Sequence, residues 1–179
     1  MSRRNTLVRS LHDLGAAAWF GGNLMGAVGL NGAAAAASDP SERLRLASVG
    51  WAKWAPLQWA GIISHGIGGI GLILGNRQRL AGQKEGRSNT VIKSVITLAA
   101  VGTTIGSGLA GAAQAKHSDE PASGATEPSS ESSETLKKAQ ALQKRLQWVT
   151  PVLVGIVLIL GAQQGEQQRP VAGLAAKKK

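Results

Sequence analysis

The chain has 179 residues, with no cysteine, no tyrosine, one phenylalanine, five tryptophans and a formal net charge of +10. Without cysteine there is neither a disulfide nor a thiolate nucleophile. A soluble core of this size would draw on more large aromatics, whereas Gly- and Ala-rich apolar runs suit close-packed membrane helices. The positive charge does not point to nucleic acid, because the basic residues lie in loops flanking apolar stretches, where anionic lipid headgroups are the simpler partner.

Taken in chain order, residues 1–10 carry Arg3, Arg4 and Arg9. The first apolar stretch covers 14–37 and is interrupted only by Asn23 and Asn31. It exceeds the ~20 residues that span hydrocarbon. A connector at 38–53 opens with Ser-Asp-Pro, and the second apolar stretch, 54–75, is rich in glycine. Residues 76–93 are polar and basic, and the third stretch covers 91–115. The Ser-, Glu- and Pro-rich segment 116–135 has too little apolar surface for a core, so its composition predicts a disordered outer loop. Between 136 and 147, Leu136, Ala139, Leu142 and Leu146 recur at helical spacing, mostly opposite Lys137, Lys138, Lys144 and Arg145. That is an amphipathic helix. The fourth apolar stretch, 148–163, is the shortest, and the tail 164–179 ends in three lysines. These elements predict an all-α, polytopic membrane protein: four transmembrane helices in an up-down bundle forming a single membrane domain.

The basic residues orient it. Counted by loop, twelve Lys and Arg fall on the side of the N-terminus, the 76–93 loop and the tail, against eight on the other side. Both termini are therefore expected in the cytoplasm. Trp51, Trp54, Trp59 and Trp148 cluster toward the opposite face, where indole rings anchor at the membrane interface. A cleaved signal peptide is the rival reading of residues 1–37, which have a basic start, an apolar middle and an Ala run before Ser38. The length of that segment, and its Asn and Gly content, favour a retained helix.

Small residues four apart let helix backbones approach closely. Gly22 and Gly26 do so in the first stretch, and Gly102, Gly106 and Gly111 extend the pattern, with Ser107, in the third. In the second, Ala60, Ser64 and Gly68 repeat the spacing, as do Gly61 and Gly69 with His65 between them. An ionisable side chain at that depth is costly and often marks function. The bland alternative is a neutral imidazole hydrogen-bonded to Thr103, Thr104 or Asn23. His12, followed by Asp13, is the other candidate for a cofactor ligand. Counting a 1.5 Å rise per residue puts the two histidines ~10–15 Å apart in depth, which argues against one haem held by both. His117 falls in the outer loop. No phosphate-binding loop with a lysine is evident, and no membrane stretch carries a carboxylate pair.

The sequence His12-Asp-Leu-Gly-Ala-Ala-Ala-Trp19-Phe-Gly21-Gly22 resembles the opening helix of several small bacterial membrane families. Among them are CopD-like copper-resistance proteins and HemJ-type protoporphyrinogen oxidases. The resemblance covers about eleven residues and implies a four-helix bundle working with haem, porphyrin or copper. The chain departs from it in having only Met1 and Met25 as methionines, too few for a copper carrier. It also lacks an evident basic residue within a helix to meet porphyrin propionates.

Three functions compete. The leading expectation is a non-enzymatic scaffold or accessory subunit docked on other membrane-protein subunits in a bacterial plasma membrane. The second is a redox protein binding haem or quinone through His65 or His12. The third is a small transporter.

Overall fold

The computed structural model describes residues 5–166; Arg3, Arg4 and the lysines at 177–179, on which part of the charge count rests, lie outside them. The described chain is helical, with α1 at Thr6–Met25, a π-helical turn at Gly26–Leu30, and α2 at Asn31–Ala35. Then come α3 at Pro40–Gly75, α4 at Arg77–Gly82, α5 at Lys84–Ala115 and α6 at Glu134–Glu166. No strand occurs among the described residues.

The helices are longer than the apolar stretches alone suggested. The connector 38–53 and the stretch 54–75 form one helix, which starts on a built cap: Asp39 accepts from the Ser41 N–H at 2.9 Å and Pro40 occupies the first turn. The amphipathic segment 136–147 likewise runs straight into the fourth stretch as α6. At 1.5 Å per residue, the 36 residues of α3 reach about 54 Å, well past the ~30 Å of a bilayer's hydrocarbon. Three helices, α3, α5 and α6, are long and apolar enough to cross a membrane. Their large apolar side chains point outward: Ile67, Leu98, Leu109 and Ile159 are all more than half exposed. Meanwhile His12, Asn23, His65, Thr104 and Gln140 are buried. Polar inside and apolar outside is the arrangement that a lipid solvent selects.

α1 packs along α3 in an antiparallel seam set by glycines. A side chain at Gly75 would meet Asn5, one at Gly71 would meet Val8, and one at Gly68 would meet the backbone of His12. Further along, Gly15 sits on Gly61 and His65, while Gly22 and Gly26 receive the indoles of Trp54 and Trp51, and Gly50 receives Leu30. Gly69 faces the His12 ring, and Gly106 faces Leu146 of α6. Gly102 and Gly111 meet nothing within 4 Å among the described residues, so in α5 only part of the spaced row is spent on packing. Trp51 and Trp54 are half-buried in the seam, donating to Asn31 Oδ1 and Gln58 Oε1 at 2.9 Å, whereas Trp59 and Trp148 are exposed.

α5 packs along α6, and α1 joins the two helix pairs through α6. The core at their meeting point comprises Ala16, Trp19, Ile62, Ala100 and Val154. α3 and α5 touch little, which leaves the bundle open on that side.

Residues 116–135 are not disordered in the structure. Ala122 and Ala125 plug two small clusters, with Leu44 and Leu136 and with Ala34 and Ala47 respectively. Gln140 Nε2 donates to the Gly124 carbonyl at 2.9 Å, and Ser129 and Ser132 donate to the Pro121 carbonyl at 2.9 Å. Two alanines and satisfied backbone groups hold a segment whose composition lacks a core of its own. Glu120 anchors one end, accepting from the Ser133 N–H at 2.7 Å and from His117 Nδ1 at 2.6 Å. Those hydrogen bonds, the Ser133 backbone donor first, hold its carboxyl below the ordinary carboxylate range. A depressed pKa stabilises the fold above the unfolded value of ~4.3, and that stability is lost as pH falls through the folded value. Limited proteolysis should therefore cut within 116–135 faster at pH 3 than at pH 7, and Glu120→Gln should be cut readily at both.

Candidate functional site

The seam decides where the two histidines lie. Asn5 stands level with Gly75, so His12 and His65 are almost the same distance from the common end of α1 and α3. Their rings are in contact, with centroids 4.2 Å apart and planes tilted by 38°. The separation in depth expected from residue counting is thus overturned. It took His12 to be at the mouth of a helix starting near residue 14, whereas α1 begins at Thr6 and His12 sits in its second turn.

Both rings have one nitrogen committed. His65 Nδ1 lies 3.0 Å from the His12 carbonyl oxygen, which can only accept, so Nδ1 carries the hydrogen. His12 Nδ1 lies 2.8 Å from Asp13 Oδ1, which assigns its hydrogen the same way while Asp13 is ionised. In the neutral imidazoles, both Nε2 atoms are then lone-pair acceptors. Each is a hydrogen-bond acceptor, a base or a ligand, oriented by a partner on the other ring nitrogen. Trp19, fully buried, sets its indole edge against His65 at 6.4 Å between centroids.

His12 and His65 line a cavity of about 260 Å³ between the N-terminal half of α1, the C-terminal half of α3 and the first half of α5. Lys93 of α5 lines it too, with Nζ donating to Gln164 Oε1 at 2.9 Å. Arg9 and Asp13 complete the polar part, so two basic side chains share the cavity lining with one carboxylate. Ile70, Ile73, Leu80 and Leu98 supply the apolar walls. Lys93 is the basic helix residue that the sequence did not make evident. It stood at the edge of a loop by composition, and only the start of α5 at Lys84 puts it two and a half turns inside a helix.

A haem held by both histidines does not fit this arrangement. An iron–nitrogen bond is about 2 Å, so two axial imidazoles stand apart with the macrocycle between them. Rings already touching leave no gap for it. For copper or another metal, no cluster of three or more His, Asp or Glu ligands exists among the described residues. The site instead offers paired acceptors beside a cation in an apolar chamber, a set of groups that suits a small polar ring with exchangeable hydrogens.

A second cavity, of about 370 Å³, lies further along the same open side between α3 and α5. The layer around Trp19, whose Nε1 donates to Thr104 Oγ1 at 3.1 Å, stands between the two.

Fold and sites together define a multi-pass helical membrane protein with cavities along its open α3–α5 side. No family model, curated protein or solved structure matches the chain.

Proposed function

We propose that this protein is a small quinone-binding protein of a bacterial plasma membrane, with four membrane-crossing helices and both described ends in the cytoplasm. α1, continued by the π turn and α2, is the fourth crossing. The carrying observation is the contact between His12 and His65, each with its Nδ1 tied, at the wall of the 260 Å³ cavity. A quinol hydroxyl donates to Nε2, and a quinone carbonyl accepts from the Lys93 ammonium. The volume is below the ~300–1,000 Å³ of drug-sized sites, which suits a single head ring better than a porphyrin. An isoprenoid tail leaves through the gap between α3 and α5 into lipid. The resemblance of the first helix to CopD-like and HemJ-type proteins supports membrane cofactor chemistry at His12.

Titration of the protein in lipid nanodiscs with decylubiquinone, followed by tryptophan emission, tests this reading. Saturable quenching that is lost in His65→Ala supports it. Quenching that is unchanged in both His65→Ala and His12→Ala refutes it.

A second reading, an accessory subunit, draws on Gly102, a helix-packing position that none of the described residues covers. Its test is a stable partner that co-purifies with the wild type and is lost on Gly102→Leu.

A further inference from the structure

The second cavity differs from the first in one decisive respect. Among the described residues lining it there is no Asp, Glu, Lys, Arg or His. Its polar surface is entirely neutral: the amides of Asn23, Asn31, Gln58, Gln114 and Gln143, with several hydroxyls. Trp51 and Trp59 add indole surfaces, and Gly108 and Gly111 leave open space in the α5 wall. Thr104, at the Trp19 layer, forms one end, while Ala125 and Thr126 of the packed loop form the other.

Most of these polar groups are already satisfied. Trp51 Nε1 donates to Asn31 Oδ1, Asn31 Nδ2 donates to Gln147 Oε1 at 2.9 Å, and Ser107 Oγ donates to Gln143 Oε1 at 3.2 Å. Gln114 is the exception. It is only 5% exposed, and its Nε2 has no acceptor among the described residues. A buried donor left unmade costs about 1–3 kcal/mol. Gln114 lines the cavity while its Nε2 is covered and unpaired, so a turn of the side-chain amide is what would present that donor to an occupant.

We infer that this cavity is a second binding site, for an uncharged hydroxylated ring such as a sugar, accepting from Gln114 Nε2 and lying against the indoles of Trp51 and Trp59. An ion there would lose hydration with no counter-charge to meet it, which selects against charged ligands. A hydroxylated ring has both an apolar face for the tryptophans and an edge of donors and acceptors for the amides. The inference stands apart from the quinone reading, because the two cavities share no lining residue.

The test uses the full chain in zwitterionic lipid nanodiscs, titrated calorimetrically with glucose, with an alkyl glucoside below its micelle concentration, and with an alkyl phosphate of the same chain length. Saturable binding of the glucoside, of glucose or of both, with the phosphate at least tenfold weaker, supports the site. Glucose binding alone identifies a free solute, and a requirement for the alkyl chain identifies a lipid headgroup. Gln114→Leu should weaken binding at least tenfold without loss of thermal stability, since its amide makes no bond in the unliganded protein. Gly108→Leu, which fills the open wall, should abolish it. Equal binding of the phosphate, no saturable binding of either sugar probe, or unchanged binding in Gly108→Leu would overturn the inference.

Discussion

Gly68→Val should separate α1 from α3. A Cβ at this position would run into the Val8 carbonyl and the backbone of His12, and backbone atoms cannot step aside as the end of a side chain can. Overpacking ordinarily costs about 1–3 kcal/mol, and a clash with main chain on both contacts places this change at or above the upper end. The same substitution at Gly102, where nothing lies within 4 Å, should leave stability within about 0.5 kcal/mol. Unfolding by a rising mole fraction of sodium dodecyl sulfate, followed by helix signal, compares the two. Equal loss at both positions would mean that the glycine seam is not what holds the first helix.

The second large effect concerns Asp13. Its carboxylate does not line up with His65, yet it fixes which nitrogen of His12 bears the hydrogen. Asp13→Asn keeps the size and can still accept through its carbonyl. It removes the negative charge that favours an Nδ1–H on His12. Outer partners of this kind typically contribute 10- to 100-fold to affinity or activity at metal-bound histidines. Quinone affinity should therefore fall by about tenfold in Asp13→Asn, and more in His12→Ala, while sodium dodecyl sulfate unfolding stays near wild type because Asp13 is half exposed. A purely structural role for Asp13 would instead lower stability and leave the pH profile of quinone binding where it was. A shift of that profile is the mark of a positioning residue.

Why the glycine pattern has such uneven consequences is instructive about reading this chain. Gly22, Gly26, Gly61 and Gly68 stood out by spacing, and all four receive a neighbour across the α1–α3 seam. In α5 the Gly102–Gly106 pair has the same spacing, yet only Gly106 receives a neighbour, Leu146. Spacing places small residues on one face of a helix, but it does not say whether a helix stands opposite. Gly15, as tightly held as any, drew no notice because it lies in a run of alanines with no glycine four residues away.

Composition and periodicity alone established the helical class, the apolar lengths and the two histidines as unusual. That much is local: a run of small apolar residues is costly to leave in water, and a histidine within it is costly to leave in lipid. That 38–53 joins 54–75 and 136–147 joins 148–163 was not legible, since Pro56 and Pro151 just past the junctions are helix breakers by local preference, and packing overrides them. The tertiary structure decided the rest. Antiparallel register, set by backbone contacts at Gly15, Gly61 and Gly68, brought His12 and His65 together across 53 residues of chain. The weak α3–α5 contact opened the two cavities, put Lys93 beside the histidines and left Gln114 without a partner. Contacts between distant segments depend on how helices slide against one another, and a shift of one turn, about 5.4 Å, would have left every local pattern intact and destroyed the site.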